Sequence, residues 1–566
     1  MTAPWFRSYD EGVPHSLDYP ECSLPDLLDR AADRFADRAA MTFYVDPKLP
    51  PSTMTYRQFR ELTLRFATAL FQLGVRKGDR VAIMLPNCPQ FGVAFFGALR
   101  LGAIVVNTNP LYVSREMREQ FEDSGCETVV LLDQFFPKLR EIQAATRIRR
   151  VIVTDVAATL RWHARTIVHL VQRRHGEYVK VHRQSDIYRL AHLLAKYPPT
   201  PPGASLRPDD TALFQYTGGT TGTPKAAMLT HRNLVANAFQ MRALFRDVRE
   251  GSEVFMAAIP FFHVYGMTTC LLFAESIGAE VAMVPRPRPV DTVMQVIQKR
   301  KATVFPGVPT LYSAINDHPK VRDFDLHSVR ICVSGAASLP GEVQATFERL
   351  TGGKLTEGYG LTEASPVTHI NPLYGRRKSG SIGIPVPGVD ARIVDLETRE
   401  PLPPGKEGEL MVRGPQVMKG YWGRPEETAQ TIVDGWLLTG DVARMDEDGY
   451  FFIVDRKKDM IAASGFKILP REVEEVLLMH PKVKEAVVAG VPDPYRGETV
   501  KAYVVLKEEQ QATAEEILDF CRLHLAPFKV PRMVEFRAEL PKTMIGKYLR
   551  RVLVEEEKAK QREGGA

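Results

Sequence analysis

Apolar positions along the chain switch repeatedly between helical and strand-like spacing. Phe59, Leu62, Phe66, Leu70 and Leu73 recur at three- and four-residue intervals, which predicts a helix, and Gly74 follows as its stop. After Gly78-Asp79, the run Arg80 to Leu85 is short and rich in β-formers and ends at Pro86-Asn87, which predicts a strand. The most apolar stretch, Phe91 to Val106, is broken by Arg100 and is too short to span a bilayer. It reads as a buried helix running into a buried strand. The same alternation continues to about residue 450 and predicts stacked α/β layers.

Interruptions in this pattern divide the chain. Pro198-Pro-Thr-Pro-Pro-Gly203 predicts a stiff connector. A β-rich segment with turns at Pro403-Pro-Gly405 and Gly414-Pro415 leads up to the charged run Asp455-Arg-Lys-Lys-Asp459. Beyond it the pattern predicts a helix from Pro470 to Met479 and strands near Ala486–Ala489 and Val500–Leu506. The expected division is a large domain over residues 1–454, a hinge at 455–459 and a small domain over 460–566. Charged residues from Glu555 onward predict a disordered tail.

Residues 157–175 support two readings. Leu160, Ala164, Ile167, Val168 and Val171 form an apolar stripe, with Trp162 nearby and Arg161, Arg165, His169 and Arg173 on the adjoining face. This is the pattern of a surface helix packed on the first layers, and also of a basic helix lying on a membrane.

A chain of 566 residues is too long for one core, which agrees with the division above. Hydrophobic content of 44% and a net charge of +6, without a nucleic-acid motif, describe a globular protein with no nucleic-acid partner. Six cysteines lie far apart with no C-x-x-C pair, which predicts buried, reduced thiols in a cytoplasmic protein. The N-terminal residues lack a basic region followed by an apolar one, so no signal peptide is expected.

Chemistry enters at Tyr216-Thr-Gly-Gly-Thr-Thr-Gly-Thr-Pro-Lys225. Glycines let successive amides converge on one point, threonine hydroxyls add donors, and Lys225 adds a positive charge, a combination suited to a polyphosphate. It is not the G-x-x-x-x-G-K-[ST] loop, because Pro224 precedes the lysine and Ala226 follows it. Ala212 to Tyr216 reads as a strand, and Thr230 as the N-cap of a helix carrying Leu234, Ala238, Met241 and Phe245. The loop is therefore expected between a strand and a helix, a favourable place for phosphate.

Further motifs follow in order: Glu357-Gly-Tyr-Gly-Leu-Thr-Glu363, Gly435-Trp-Leu-Leu-Thr-Gly-Asp441, Asp455-Arg456 and Pro541-Lys-Thr-Met-Ile-Gly-Lys547. From about residue 25 to 553 the chain resembles the acyl-adenylate-forming superfamily of acyl-CoA synthetases, peptide-synthetase adenylation domains and luciferases. Asn109-Pro-Leu-Tyr112, the YTGGTTG loop, Gly358–Val367, Gly414–Trp422, Asp455–Ile461 and Val491–Glu498 are most similar to bacterial long-chain fatty acid–CoA ligases. One departure is Ala226, which stands where that family usually has glycine and removes no donor.

The resemblance implies an α/β fold: a large N-terminal domain of two α/β subdomains plus a β-rich barrel-like subdomain, and a small mobile α+β C-terminal domain. It implies an AMP-forming ligase that uses ATP and Mg²⁺ to convert a medium- to long-chain fatty acid to acyl-AMP, then transfers the acyl group to CoA. Ligases for aryl or other acids, acyl-AMP ligases that load a carrier protein, and a fatty-acid binding paralogue without chemistry remain alternatives. A homodimer, and peripheral contact of the 157–175 helix with the inner face of the cell membrane, are further expectations.

It also assigns roles. Thr217, Gly218, Gly219, Thr220, Thr221, Gly222 and Lys225 surround the phosphates of ATP, and Thr217 and Glu363 hold Mg²⁺. Gly335, Ala336, Glu357, Gly358, Tyr359, Gly360, Leu361 and Thr362 line the nucleotide, Asp441 accepts from the ribose hydroxyls, and Arg456 reaches ribose or phosphate. Lys547 bridges the attacking carboxylate and the α-phosphate; with Glu363 and Thr217 it forms the catalytic set. His263, Val264, Tyr265 and Gly266, with Gly335 and Gly358, border the acyl group. Ser464, Gly465, Phe466 and Lys467 meet CoA, and Asp455 and Lys458 belong to the hinge. A carboxylate is ionised at neutral pH and needs no general base; it needs relief from repulsion by the triphosphate, which cationic donors supply.

Overall fold

The helix expected around Phe59 spans Tyr56–Gln72. Thr55 opens it by accepting the Gln58 N–H, and Gly74 follows at φ +89°. Phe59, Phe66 and Leu70 are fully buried against the helix Pro89–Arg100, whose residues before Arg100 are all buried. Arg100 ends that helix with its guanidinium 2.6 Å from Asp29, so the charge that interrupts the apolar run is paired. The strands Arg80–Met84 and Ile104–Asn107 then lie side by side in parallel.

These observations come from a computed structural model that describes residues 3–182, 184–217, 224–463, 466–493, 497–543 and 546–563. Two large sheets organise the N-terminal part. One has eight strands, with Ile104–Asn107, Arg80–Met84, Thr128–Leu132 and Arg150–Thr154 parallel and the hairpin Thr211–Thr217/Lys225–Thr230 beside them. The other has nine, centred on the parallel strands Val254–Ala257, Val304–Gly307, Ile331–Ser334 and Lys354–Gly360. One apolar core joins them, with Val81, Ile83 and Val105 from the first and Val281, Val304 and Ile331 from the second. Carboxyl ends of parallel strands are where open α/β sheets bind ligands, and Gly307, Ser334 and Glu357–Gly360 lie there.

The β-rich subdomain is a five-stranded antiparallel sheet containing Asp390–Val394, Glu407–Arg413, Trp436–Met445 and Phe451–Arg456. The small domain follows, with a five-stranded sheet and the helices Pro470–Met479, Ala514–His524 and Arg550–Glu563. Its core is its own, built from Ile468, Val473, Leu477, Val488, Val504 and Ile517.

Two expectations change. The tail from Glu555 is helical as far as Glu563, because Leu553 is buried and charges dock on the small sheet: Glu557 with Lys501 at 2.7 Å, Glu556 with Arg537 at 2.6 Å. The charged run at 455–459 begins inside folded structure. Asp455 and Arg456 close the strand Phe451–Arg456, and Asp455 is buried, accepting the N–H groups of Arg456 and Arg471 at 2.7 Å each. The stripe at 160–171 splits. Leu160, Ala164 and Val168 face the protein, while Trp162 (80% exposed), Ile167, Leu170 and Val171 face outward on the helix Trp162–Arg174. Arg165 and His169 turn to Asp155.

All six cysteines are buried and unpaired, as expected. Among the described residues no helix is long and apolar enough to cross a membrane.

Candidate active site

The glycine loop does not run from strand to helix. Thr217 and Lys225 are cross-strand partners, and Lys225–Thr230 returns as an antiparallel strand before the helix His231–Leu244 begins. Ala226, Ala227 and Leu229 cause this, since their side chains are buried in the sheet; the methyl of Ala226 belongs to strand packing. Thr230 caps the helix as expected, accepting the Asn233 N–H at 3.1 Å. Gly218, Gly219, Thr220, Thr221 and Gly222 lie outside the described residues, as do Ser464 and Gly465.

Glu363 is carried by a short turn, Thr362–Ala364, packed against both strands of the hairpin. Leu361 leads into it, donating its N–H to the Pro366 carbonyl at 3.0 Å. Tyr421 Oη donates to Glu363 Oε1 at 2.7 Å, and the Lys225 ammonium lies 5.3 Å from the centre of the same ring while pairing with Glu427. Among the described residues no cluster of three or more metal-ligating side chains occurs. Glu363 and the Thr217 hydroxyl offer hard oxygen donors; Mg²⁺ usually takes one or two such groups and completes its shell with substrate phosphates and water. The donor set fits an ion that arrives on a nucleotide.

Beside this lies the wall formed by the second sheet. Ser334 is followed by Gly335 and by Ala336 at φ +71°. A side chain at Gly335 would come within 2.9 Å of the Tyr265 ring, which is held by hydrogen bonds from its hydroxyl to the carbonyls of Gly307 and Val333. Val264 and Tyr265 are buried, and Gly266 backs onto the Ile259 and Pro260 carbonyls. Gly358 lies against Val333, and Gly360 against the Pro366 carbonyl. Burial pushes the Glu357 carboxyl up to about 7, opposed by the Leu339 N–H and by the Arg471 cation.

Tyr359 Oη donates to Asp441 Oδ2 at 2.5 Å, and Arg456 Nε lies 3.2 Å from Asp441 Oδ1. Strand register makes the second contact, since Asp441 and Arg456 are directly opposite one another. Asp441 is buried, with its carboxylate held by one hydrogen bond from Tyr359 and one ion pair with Arg456.

Lys547 comes from the other domain. Its loop is a tight turn in which Thr543 N–H donates to the Lys547 carbonyl at 2.8 Å and Lys547 N–H to Thr543 Oγ1 at 3.1 Å. Gly546, at φ +77°, presses against Thr310 of the large domain, where a side chain would meet Thr310 at 3.0 Å. Withdrawal from water brings the Lys547 ammonium down to about 8; the Arg456 cation adds to this, and Asp441 opposes it. His263 is lowered to about 4, first by burial and then by Lys547. Its Nδ1 accepts the Tyr265 N–H at 3.2 Å, as a neutral ring does. Lys547, Arg456, Asp441 and His263 thus share one electrostatic neighbourhood.

The charged run 455–459 is anchored on both sides: Lys457 Nζ lies 2.8 Å from Glu409 of the large domain, and Asp459 lies 3.0 Å from Arg550 Nη1 of the small one. Lys458 lies between them, its ammonium lowered by burial and then by Arg456, with Asp459, Asp441 and Glu363 opposing. Phe466 and Lys467 form the strand Phe466–Ile468. Sequence reading missed Tyr421, Glu427, Thr310 and the pair Arg471–Ser338 (3.0 Å). The Gly-Tyr-Trp run pointed to Tyr421; the others depend on register between distant segments.

The fold is thus a large α/β domain whose strand ends are covered by a small α+β domain carrying a lysine. The model of the AMP-binding enzyme family matches residues 28–422, and that of the AMP-binding enzyme C-terminal domain matches residues 472–547. The chain belongs to the AMP-binding enzyme family. It is 46% identical over 560 residues, 98% of each chain, to a long-chain-fatty-acid–CoA ligase of Bacillus subtilis (strain 168). The fold is similar to the anthranilate CoA ligase AuaEII in complex with anthranoyl-AMP, with a TM-score of 0.82, 27% identity and coverage of 96% of this chain and 99% of that one. It is also similar to the Mycobacterium tuberculosis fatty acyl CoA synthetase, with a TM-score of 0.74, 27% identity and coverage of 95% and 99%.

Proposed function

We propose that this chain is an ATP-dependent, AMP-forming fatty acid–CoA ligase acting on medium- to long-chain acids. The observation that carries the reading is Lys547 of the small domain facing Asp441, Arg456 and His263 of the large one. Full-length similarity to the Bacillus subtilis ligase supports the substrate class.

In the first step a carboxylate oxygen attacks the α-phosphorus, the bond to the bridging oxygen of pyrophosphate breaks, and acyl-AMP forms. Lys547 donates to carboxylate and α-phosphate oxygens as negative charges converge. Asp441 accepts the ribose hydroxyls, Arg456 steadies ribose or phosphate, and Tyr359 and Gly335 flank the base. Thr217 and Lys225 hold the outer phosphates, and Mg²⁺, held by Glu363 and Thr217, supplies charge neutralisation there when bound. His263, Val264 and Tyr265 border the acyl end. In the second step the CoA sulfur attacks the acyl carbon, AMP leaves, and the thiol proton passes to solvent. The small domain turns about Lys458 between the steps, taking Lys547 out and bringing residues 464–467 in toward CoA.

The acid is delivered from a membrane surface. Trp162, Ile167, Leu170 and Val171 project outward beside Arg161, Arg173 and Arg174, an apolar edge with basic flanks that suits anionic lipid.

Pyrophosphate release and acyl-CoA formation, measured across acids from acetate to oleate and across aryl acids, test the activity. CoA-dependent product is expected with the longer fatty acids. Product with aryl acids alone would replace the substrate class, and none with any acid would remove the proposal.

A further inference from the structure

Lys225 carries the glycine loop's charge, yet its ammonium already has a partner. It pairs with Glu427, and both side chains are 36% exposed. Glu427 belongs to the helix Pro425–Thr431, which follows the strand that carries Tyr421. Arg424, just before that helix, reaches Asp123 at 3.2 Å and has its Nε 3.9 Å from Glu427. Asp123 in turn accepts the Tyr216 hydroxyl at 2.7 Å. Tyr216 precedes the loop and Lys225 closes it, so both stems are tied to one chain of charges: Tyr216, Asp123, Arg424, Glu427, Lys225.

We infer that Glu427 is a positioning residue that sets affinity for polyphosphate by competing for Lys225. The inference rests on the reading of the loop as the site of the outer phosphates. A nucleotide entering that site must draw the ammonium from Glu427, so part of the attraction between lysine and phosphate is spent on breaking an ion pair. Pyrophosphate leaving the site is released by the same exchange in reverse, with Glu427 recapturing the lysine. Tyr421 keeps the exchange local. Its ring lies against the ammonium while its hydroxyl holds Glu363, so the lysine moves between Glu427 and phosphate without disturbing that carboxylate. The carboxylate thus trades ATP affinity for product release, with no contact to either ligand.

The sign of the effect separates this from a structural role, since damage to the fold raises KM whereas loss of a competitor lowers it. The experiment compares Glu427→Gln, Lys225→Ala and the double variant in the full chain, reading KM for ATP and inhibition by inorganic pyrophosphate in acyl-AMP formation. Glu427→Gln is expected to lower KM for ATP about two- to fivefold, the range an exposed ion pair is worth. Pyrophosphate inhibition should tighten by a similar factor, and CoA capture from supplied acyl-AMP should be unchanged. Lys225→Ala is expected to raise KM for ATP about tenfold, and on that background Glu427→Gln should have no effect. An unchanged or raised KM in Glu427→Gln, with Lys225→Ala still impaired, overturns the inference alone. An equal fall on both backgrounds also overturns it, because a general field would then account for the change. If Lys225→Ala leaves KM for ATP unaltered, the phosphate reading of the loop fails, and the inference with it.

Discussion

Arg471 of the small domain donates from Nη2 to Ser338 Oγ of the large domain at 3.0 Å, one residue beyond the chain turn at Gly335–Ala337. The same guanidinium donates to the Ile453 carbonyl at 2.9 Å, and its backbone N–H reaches Asp455. With Gly546 against Thr310, it fixes the orientation in which Lys547 faces Asp441. If the domains alternate, Arg471→Ala weakens this orientation alone. Acyl-AMP formation should slow by roughly ten- to a hundredfold, the value of one charged hydrogen bond, while CoA capture from supplied acyl-AMP is retained. Single-turnover assays of the two half-reactions read this directly, and equal losses in both would contradict it.

Lys547 also predicts a pH dependence. Its ordinary pKa is 10.5 and here it is about 8, so the cation predominates at pH 7 and is lost as pH rises through about 8. kcat/KM for ATP should therefore fall above pH 8, by about tenfold per unit once the lysine is mostly neutral. In kcat the limb should lie at higher pH, because a bound triphosphate favours the cation. Lys547→Arg should remove the limb, whereas Glu357→Gln, at the group raised to about 7, should leave it in place. A limb that stays near 8 in Lys547→Arg would assign it elsewhere.

Tyr421 positions Glu363 through a 2.7 Å hydrogen bond. Tyr421→Phe keeps the ring against Lys225 and removes the bond, worth about 1 kcal/mol or fivefold. The concentration of Mg²⁺ giving half-maximal adenylation should rise by about that factor, with little change in the KM for fatty acid. No change in the Mg²⁺ requirement would remove Glu363 from the metal's shell.

Membrane contact is expected to follow the outward edge of the helix Trp162–Arg174. Trp162→Ser with Leu170→Ser alters side chains that are 80% and 58% exposed, so stability should hold. Sedimentation with phosphatidylglycerol vesicles should drop several-fold relative to the unaltered protein. Equal pelleting would contradict the reading.

Much of this fold was legible because local chemistry and burial agree. Thr230 caps the helix it was expected to cap, and Phe59, Phe66 and Leu70 face the core that their spacing implied. The glycine loop failed that test. Ala226 to Leu229 pair with the preceding strand, a long-range choice that a run of small and apolar residues does not reveal. The tail failed for a related reason, since Glu556, Glu557 and Lys560 pair with Arg537, Lys501 and Glu535, on and beside the small domain's sheet. In the site, residues within motifs were readable one by one. Their pairings were not: Tyr359 with Asp441, Tyr421 with Glu363 and Lys225 with Glu427 join segments far apart in the chain.

In the proposed reaction Lys547 serves acyl-AMP formation and not CoA transfer. Lys547→Ala tests it most directly, with pyrophosphate release and CoA capture from supplied acyl-AMP measured on the same preparation. Adenylation is expected to fall by roughly two to three orders of magnitude while CoA capture persists near the rate of the unaltered protein. Comparable loss of both half-reactions would contradict it.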